Sequence, residues 1–193
     1  MNLKQILSAG TIIQEAIALK NYLHENPELS NREEKTAEFL KGQVKSLGYK
    51  VKETENNGFI AVLHTGRPGK TVALRTDMDA LPIHEHPENL AGKKEVVSKN
   101  EGVMHACGHD AHMAILLASL KLLASMKEVL NGTIIGIFEE GEENGSGIGP
   151  MLELLQNESV DAVYGNHVYP ALDTGQICVD AGPIMAAYGV FDF

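Results

Sequence analysis

The sequence has no tryptophan, and aromatic residues fill only 5% of its 193 positions. That leaves little from which to build a base-stacking platform for single-stranded nucleic acid. Cations are also scarce: 16 Lys and Arg against 26 Asp and Glu give a formal charge of −10, whereas tracking a phosphate backbone needs clustered basic residues. No nucleic-acid partner is therefore expected. Two cysteines, Cys107 and Cys178, are too few for a disulfide framework. No window has the uninterrupted apolar length of a membrane span. Residues 1–20 alternate apolar and polar side chains where a signal peptide needs a continuous apolar core. These absences point to a soluble protein of the reducing cytoplasm that does not engage membranes. The 44% of hydrophobic residues is enough to bury a core at this length.

The apolar pattern supplies the elements. Ile6, Ile13, Ile17, Leu19 and Leu23 recur at helical spacing until Pro27. Ser30 with Glu33 three residues on reads as a capping box opening a second helix, with Ala37, Leu40, Val44 and Leu47 on one side and Gly48 as its stop. Strands are expected over 49–54, 59–64 and 71–75, the last after a Gly-Arg-Pro-Gly turn. Residues 77–110 show no period, and a loop that long in a compact domain is usually functional. A helix apolar around most of its circumference follows over 111–126. Strands are expected at 132–138, 160–165 and 176–179, and a short helix at 150–155. Strands alternating with buried helices predict a three-layer α/β sandwich with a largely parallel central sheet.

In such sheets ligands collect beyond the carboxyl ends of the strands. Three strands here run into metal-ligand residue types: one into Asp77 and Asp79, one into Glu139, Glu140, Glu142 and Glu143, one into His167. Between them, Cys107-Gly108-His109-Asp110 places a thiol and an imidazole two residues apart, able to reach one metal region. The alternative for Cys107 is a buried free thiol beside helix-capping polar residues. Four carboxylates within five positions repel and raise one another's pKa unless a cation sits among them, although a solvated acidic loop would look the same. Adjacent Glu142 and Glu143 could divide the work, one binding metal and the other moving protons. Asp77 and Asp79 flank Met78 and would point the same way if the strand continued. Either could fix the tautomer of a ligand imidazole. His24, His64, His84, His86, His105 and His112 carry no such argument and read as surface, packing or substrate-loop residues. Cys178, in an expected strand, reads as a small buried hydrophobe. A nucleophilic Cys107 with a nearby histidine is a rival reading that leaves the glutamates idle.

The segments Leu23-His24-Glu25-Asn26-Pro27-Glu28-Leu29-Ser30, Arg75-Thr76-Asp77-Met78-Asp79-Ala80-Leu81-Pro82 and Gly102-Val103-Met104-His105-Ala106-Cys107-Gly108-His109-Asp110 resemble the aminoacylase and hippurate hydrolase family, which belongs with the dinuclear zinc carboxypeptidases. Glu142-Glu143 and Gly165-Asn166-His167 match it in the same order. The resemblance implies two divalent metal ions (Zn, Mn, Co or Ni) held by Cys107, His109, Glu143 and His167. It implies Glu142 as general base, with Asp79 and also Asp77 supporting a ligand imidazole, and a small N-acyl amino acid as substrate. The chain departs from the pattern at Glu139-Glu140, where the family usually has Gln-Pro. Family members are also longer, with an inserted lid carrying a Gly-Gly-His segment and one more metal-binding histidine after it. The resemblance therefore assigns residues 1–182 to the first part of a catalytic domain and 183–193 to the start of the lid. A second copy is the partner expected of the full-length form. A non-catalytic fragment that binds metal or a partner chain is the remaining alternative.

Overall fold

The computed structural model describes residues 10–179 and 181–182. Ile6 and the expected lid entrance at 183–193 lie outside them. Helix α1 spans Thr11–Glu25 and α2 spans Glu34–Ser46, followed by strands β1 (Lys50–Glu53), β2 (Phe59–His64) and β3 (Thr71–Asp77). The long segment after β3 carries a hairpin of two-residue strands, β4 (Glu88–Asn89) with β5 (Gly92–Lys93), and isolated bridges from Ala80 to Leu29 and from Leu81 to Met104. Helix α3 (His109–Ser125), β6 (Thr133–Glu139), α4 (Ile148–Leu155) and β7 (Ala162–Gly165) complete the order. No helix of the described residues is long and apolar enough to cross a membrane.

The sheet runs β1–β2–β6–β3–β7. It is mixed rather than largely parallel: β6, β3 and β7 run together, while β2 opposes β6 and β1 opposes β2. The short connections from β1 to β2 and the β2–β6 pairing produce that antiparallel flank. Period-2 alternation then sorts the side chains. Phe59, Ala61, Leu63, Ile134 and Phe138 face a core shared with Leu23 of α1, Leu40 and Val44 of α2, and Met113, Leu116 and Leu120 of α3. Ile60, Val62, Ala73, Ile135 and Ile137 face the other way, against Met151 of α4. Helices cover both faces, which gives the three layers. Each fully buried Leu, Ile, Phe or Met contributes about 1.5–3 kcal/mol. Phe59 and Phe138 are direct cross-strand partners whose rings stack with centroids 4.4 Å apart. Gly136 lets α3 seat closely, since a Cβ there would stand 2.6 Å from Leu120 Cδ1.

Several local expectations are overturned. Ser30 caps nothing: α2 begins at Glu34, Glu33 at the cap position makes no side-chain capping bond, and the Glu28 carboxylate accepts from the Thr36 N–H at 2.8 Å. The Ser30 hydroxyl donates to Asp79 at 2.7 Å instead, and the buried Glu33 carboxylate accepts from the Gly141 N–H at 2.8 Å. Non-local partners outbid the local motif. Residues 176–179 form no strand, and Cys178 is exposed, because no neighbouring strand meets them among the described residues. Helix α3 starts at His109, two residues earlier than expected, which brings that imidazole onto the helix itself.

Candidate metal centre

Because β3, β6 and β7 are parallel, their carboxyl ends coincide; Asp77 stands opposite Glu139, and Arg75 opposite Gly165. The N-terminus of α3 meets the same edge. His109 is 1% exposed, and its ring is held from both sides. Nδ1 lies 2.8 Å from the Asp79 carbonyl oxygen and 3.3 Å from its carboxylate. With the proton on Nδ1, the Nε2 lone pair points at Asp77 (3.5 Å), Glu143 (3.7 Å) and Glu142 (3.8 Å). His109 Nε2 and Glu143 Oε1 are buried and have no hydrogen-bond partner. A buried lone pair and a buried carboxylate oxygen left facing each other are costly unless a cation joins them.

Cys107 and His167 stand at the same place, with Sγ 3.4 Å from Nε2. His167 Nδ1 donates to the Val168 carbonyl at 2.6 Å, again leaving Nε2 to face inwards. The ligand-type atoms of Cys107, His109 and His167 all lie within 4.8 Å of one another, as do those of Asp79, His109 and Glu142. The four residues expected to converge therefore do. Asp77 and Asp79 do not point the same way, because β3 stops at Asp77; one carboxylate faces each nitrogen of His109. Arg75 ties the carboxylates together, reaching Asp77 at 2.9 Å, Glu139 at 2.8 Å and Glu142 at 4.0 Å. Glu139 thus serves as an ion-pair partner, and Glu140 is turned into the core, accepting from Thr54 at 3.0 Å.

The electrostatics suit a cation. Burial, then the Glu143 charge and bond, then Asp77 and Glu142 push the Cys107 thiol up to about 12. Burial and Glu142 raise Glu143 against the pull of His109. Burial would raise Asp77 also, but the His112 bond and the charges of His109 and Arg75 hold it at about 2. Burial lowers His109, yet Asp79, Asp77 and Glu143 outweigh it and favour a bound positive charge on the ring. A divalent ion would supply that charge in place of protons, with thiolate and neutral imidazole as the forms able to bind it.

Of the histidines read from sequence as surface, packing or substrate-loop residues, His24, His105 and His112 are buried. His112 lies between Asp77 (2.8 Å) and the Val168 N–H (3.0 Å). Its spacing of three from His109, both in the first turns of α3, was the available signal. His24 bridges Asp110 (2.8 Å) and Glu85 (2.9 Å), joining α1 and α3 to the long loop. His105 is 4% exposed with no partner on either nitrogen, and burial lowers it to about 4, so it sits there as a neutral ring. His64, His84 and His86 are exposed as expected.

An α/β sandwich that gathers thiol, imidazole and carboxylate beyond its parallel strands defines the class. The model of the family described as peptidase family M20/M25/M40 matches residues 73–184. The chain belongs to that family. It is 41% identical over 175 residues to the N-acyl-L-amino acid amidohydrolase of Geobacillus stearothermophilus, covering 90% of this chain and 46% of that protein. It is 40% identical over 179 residues to thermostable carboxypeptidase 2 of Saccharolobus solfataricus, covering 91% and 44%. Among solved structures, the YXEP protein of Bacillus subtilis, described as a dinuclear metal binding peptidase from M20 family, superposes with a TM-score of 0.81 at 34% identity, covering 90% of this chain and 48% of that one. The chain spans about half the length of the curated relatives it matches.

Proposed function

We propose that this chain is the N-terminal part, residues 1–182, of the catalytic domain of a metal-dependent amidohydrolase cleaving the amide bond of N-acyl amino acids, with 183–193 opening a lid. The observation that carries the reading is the pair of unpartnered buried atoms, His109 Nε2 and Glu143 Oε1, facing the Cys107–His167 pair. These four residues would hold two divalent ions of the Zn, Mn, Co or Ni class. Bound ions of this kind supply Lewis acidity and lower the pKa of water from about 15.7 towards 7.

The chain's own residues do the rest. Glu142 remains partly exposed beside His109, so it can take a proton from the nucleophile and hand it to the leaving amine, worth about 100- to 10,000-fold. Asp79 holds His109 in the tautomer that presents Nε2. Arg75 keeps Asp77, Glu139 and Glu142 apart from one another's charge. The Cys107–His167 contact also has the geometry of a thiol nucleophile and base. Burial, and then the carboxylates around Cys107, disfavour its thiolate, which is the opposite of what a nucleophilic cysteine needs.

The relatives' names divide between acyl-amino-acid and peptide substrates, and both are amides of an amino acid. The test is therefore run on both, in the full protein that carries this chain. Chelation should abolish turnover, and metal should restore it. Glu142→Gln should abolish turnover with metal content unchanged, whereas Cys107→Ser should lose metal. Loss of metal in Glu142→Gln would break the assigned division between the two glutamates. Turnover that survives chelation but not thiol alkylation would install the cysteine nucleophile in its place.

A further inference from the structure

His112 stands in the second turn of α3 and is 1% exposed. An amide N–H can only donate, so the Val168 N–H fixes the lone pair of His112 on Nε2, and the proton on Nδ1 goes to Asp77. Both nitrogens are spent. His112 therefore drops out as a ligand, although it lies with Asp77 and His109 in a group of metal-competent side chains. What it holds is the peptide of Val168. The other end of that residue, its carbonyl, accepts from His167 Nδ1 at 2.6 Å. The two imidazoles lie with centroids 4.5 Å apart at 65°. Among the described residues His167 has little else to steady it: β7 is there an exposed edge strand whose ladder to β3 ends at Gly165.

We propose that His112 is the positioning residue for His167, acting through the two ends of Val168: it grips the N–H, and the carbonyl so placed keeps the proton of His167 on Nδ1 and turns Nε2 towards Cys107. The inference rests on the reading of Cys107, His109, Glu143 and His167 as one metal centre. Two substitutions separate the arms of His112. The side-chain carbonyl of His112→Gln reaches as far as Nε2 and can still accept from Val168. The amide of His112→Asn reaches only as far as Nδ1, so it keeps Asp77 and loses Val168.

Long-range proton–nitrogen NMR of the imidazoles, on the metal-free chain at a pH well above the histidine range, reads the tautomers directly. Wild type should show His112 and His167 both protonated on Nδ1, and His167 protonated on Nε2 in wild type would overturn the proposal without any variant. His112→Gln should keep the His167 signature and zinc affinity within a few-fold. His112→Asn should give mixed tautomers for His167 and about 10- to 100-fold weaker zinc binding by calorimetry. Equal losses in both variants, tracking thermal stability, would reduce His112 to a structural residue and overturn the positioning role. Should His167 change in His112→Asn while even wild type binds no metal, the positioning stands and the metal reading falls.

Discussion

Asp79 holds His109 with its main chain more closely than with its side chain: the carbonyl oxygen lies 2.8 Å from Nδ1, the nearest carboxylate oxygen 3.3 Å. The other carboxylate oxygen accepts from the Ser30 hydroxyl at 2.7 Å and the Glu143 N–H at 3.0 Å. One residue thus orients the ring with its backbone and anchors the glutamate turn with its carboxylate. Asp79→Ala should leave those two donors without an acceptor and cost about 1–3 kcal/mol in urea unfolding. Asp79→Asn keeps an acceptor for both and should lose less than half as much. Equal losses would mean that the charge of Asp79, rather than its bonds, secures the turn.

Acid should weaken the metal-free chain in a defined window. Asp77 sits at about 2 in the fold, against about 3.9 in an unfolded chain. A carboxyl lowered by folding stabilises the native state above its unfolded pKa, and that stabilisation disappears as pH falls through the folded one. Asp77 should therefore account for about 2 kcal/mol lost between about pH 4.5 and pH 2. Glu85 is also held at about 2 and titrates in the same range. The comparison is thus with Asp77→Asn, which should be less stable near neutrality and show a shallower slope in that window. An unchanged slope in urea titrations would remove Asp77 from the account.

Gly108 precedes α3 at φ 85°, and a Cβ there would stand 2.4 Å from Val168 Cγ2. Gly108→Ala should destabilise the chain by about 1–3 kcal/mol and push Val168 away from His112. Gly42, inside α2 with open space around it, is the control. Gly42→Ala should stabilise by about 0.5–1 kcal/mol. Thermal melts of the pair settle the matter: a neutral Gly108→Ala would mean that Val168 yields freely.

A thiol raised to about 12 should alkylate slowly. In the metal-free chain at neutral pH, iodoacetamide should label the exposed Cys178 well before Cys107, as followed by peptide mass spectrometry. Glu143→Gln removes the nearest negative charge and should speed labelling of Cys107. Faster labelling of Cys107 than Cys178 in wild type would revive the thiol as nucleophile.

The main elements were legible because period 2 and period 3.6 are local properties, visible in Phe59–His64 and in the Ala37, Leu40, Val44 series. The site was legible for a topological reason: parallel strands share a carboxyl end, so Asp77, Glu143 and His167 had to approach one another once β3, β6 and β7 ran together. Ser30 misled because its partner Asp79 is 49 positions away. Residues 176–179 misled because a strand exists only beside a partner. The spacing of His112 from His109 marks a shared helix face, but that spacing does not separate an imidazole that holds a peptide from one that fills space.

The centre is fastened unevenly. His109 is set by a buried helix start and Glu143 by the turn after β6, whereas His167 follows β7, which is the last strand of the sheet among the described residues, and is exposed there. Ions bound to this chain by itself would meet one firm seat and one yielding seat. Dilute chelator should empty the yielding seat first, leaving a half-loaded state long enough to isolate.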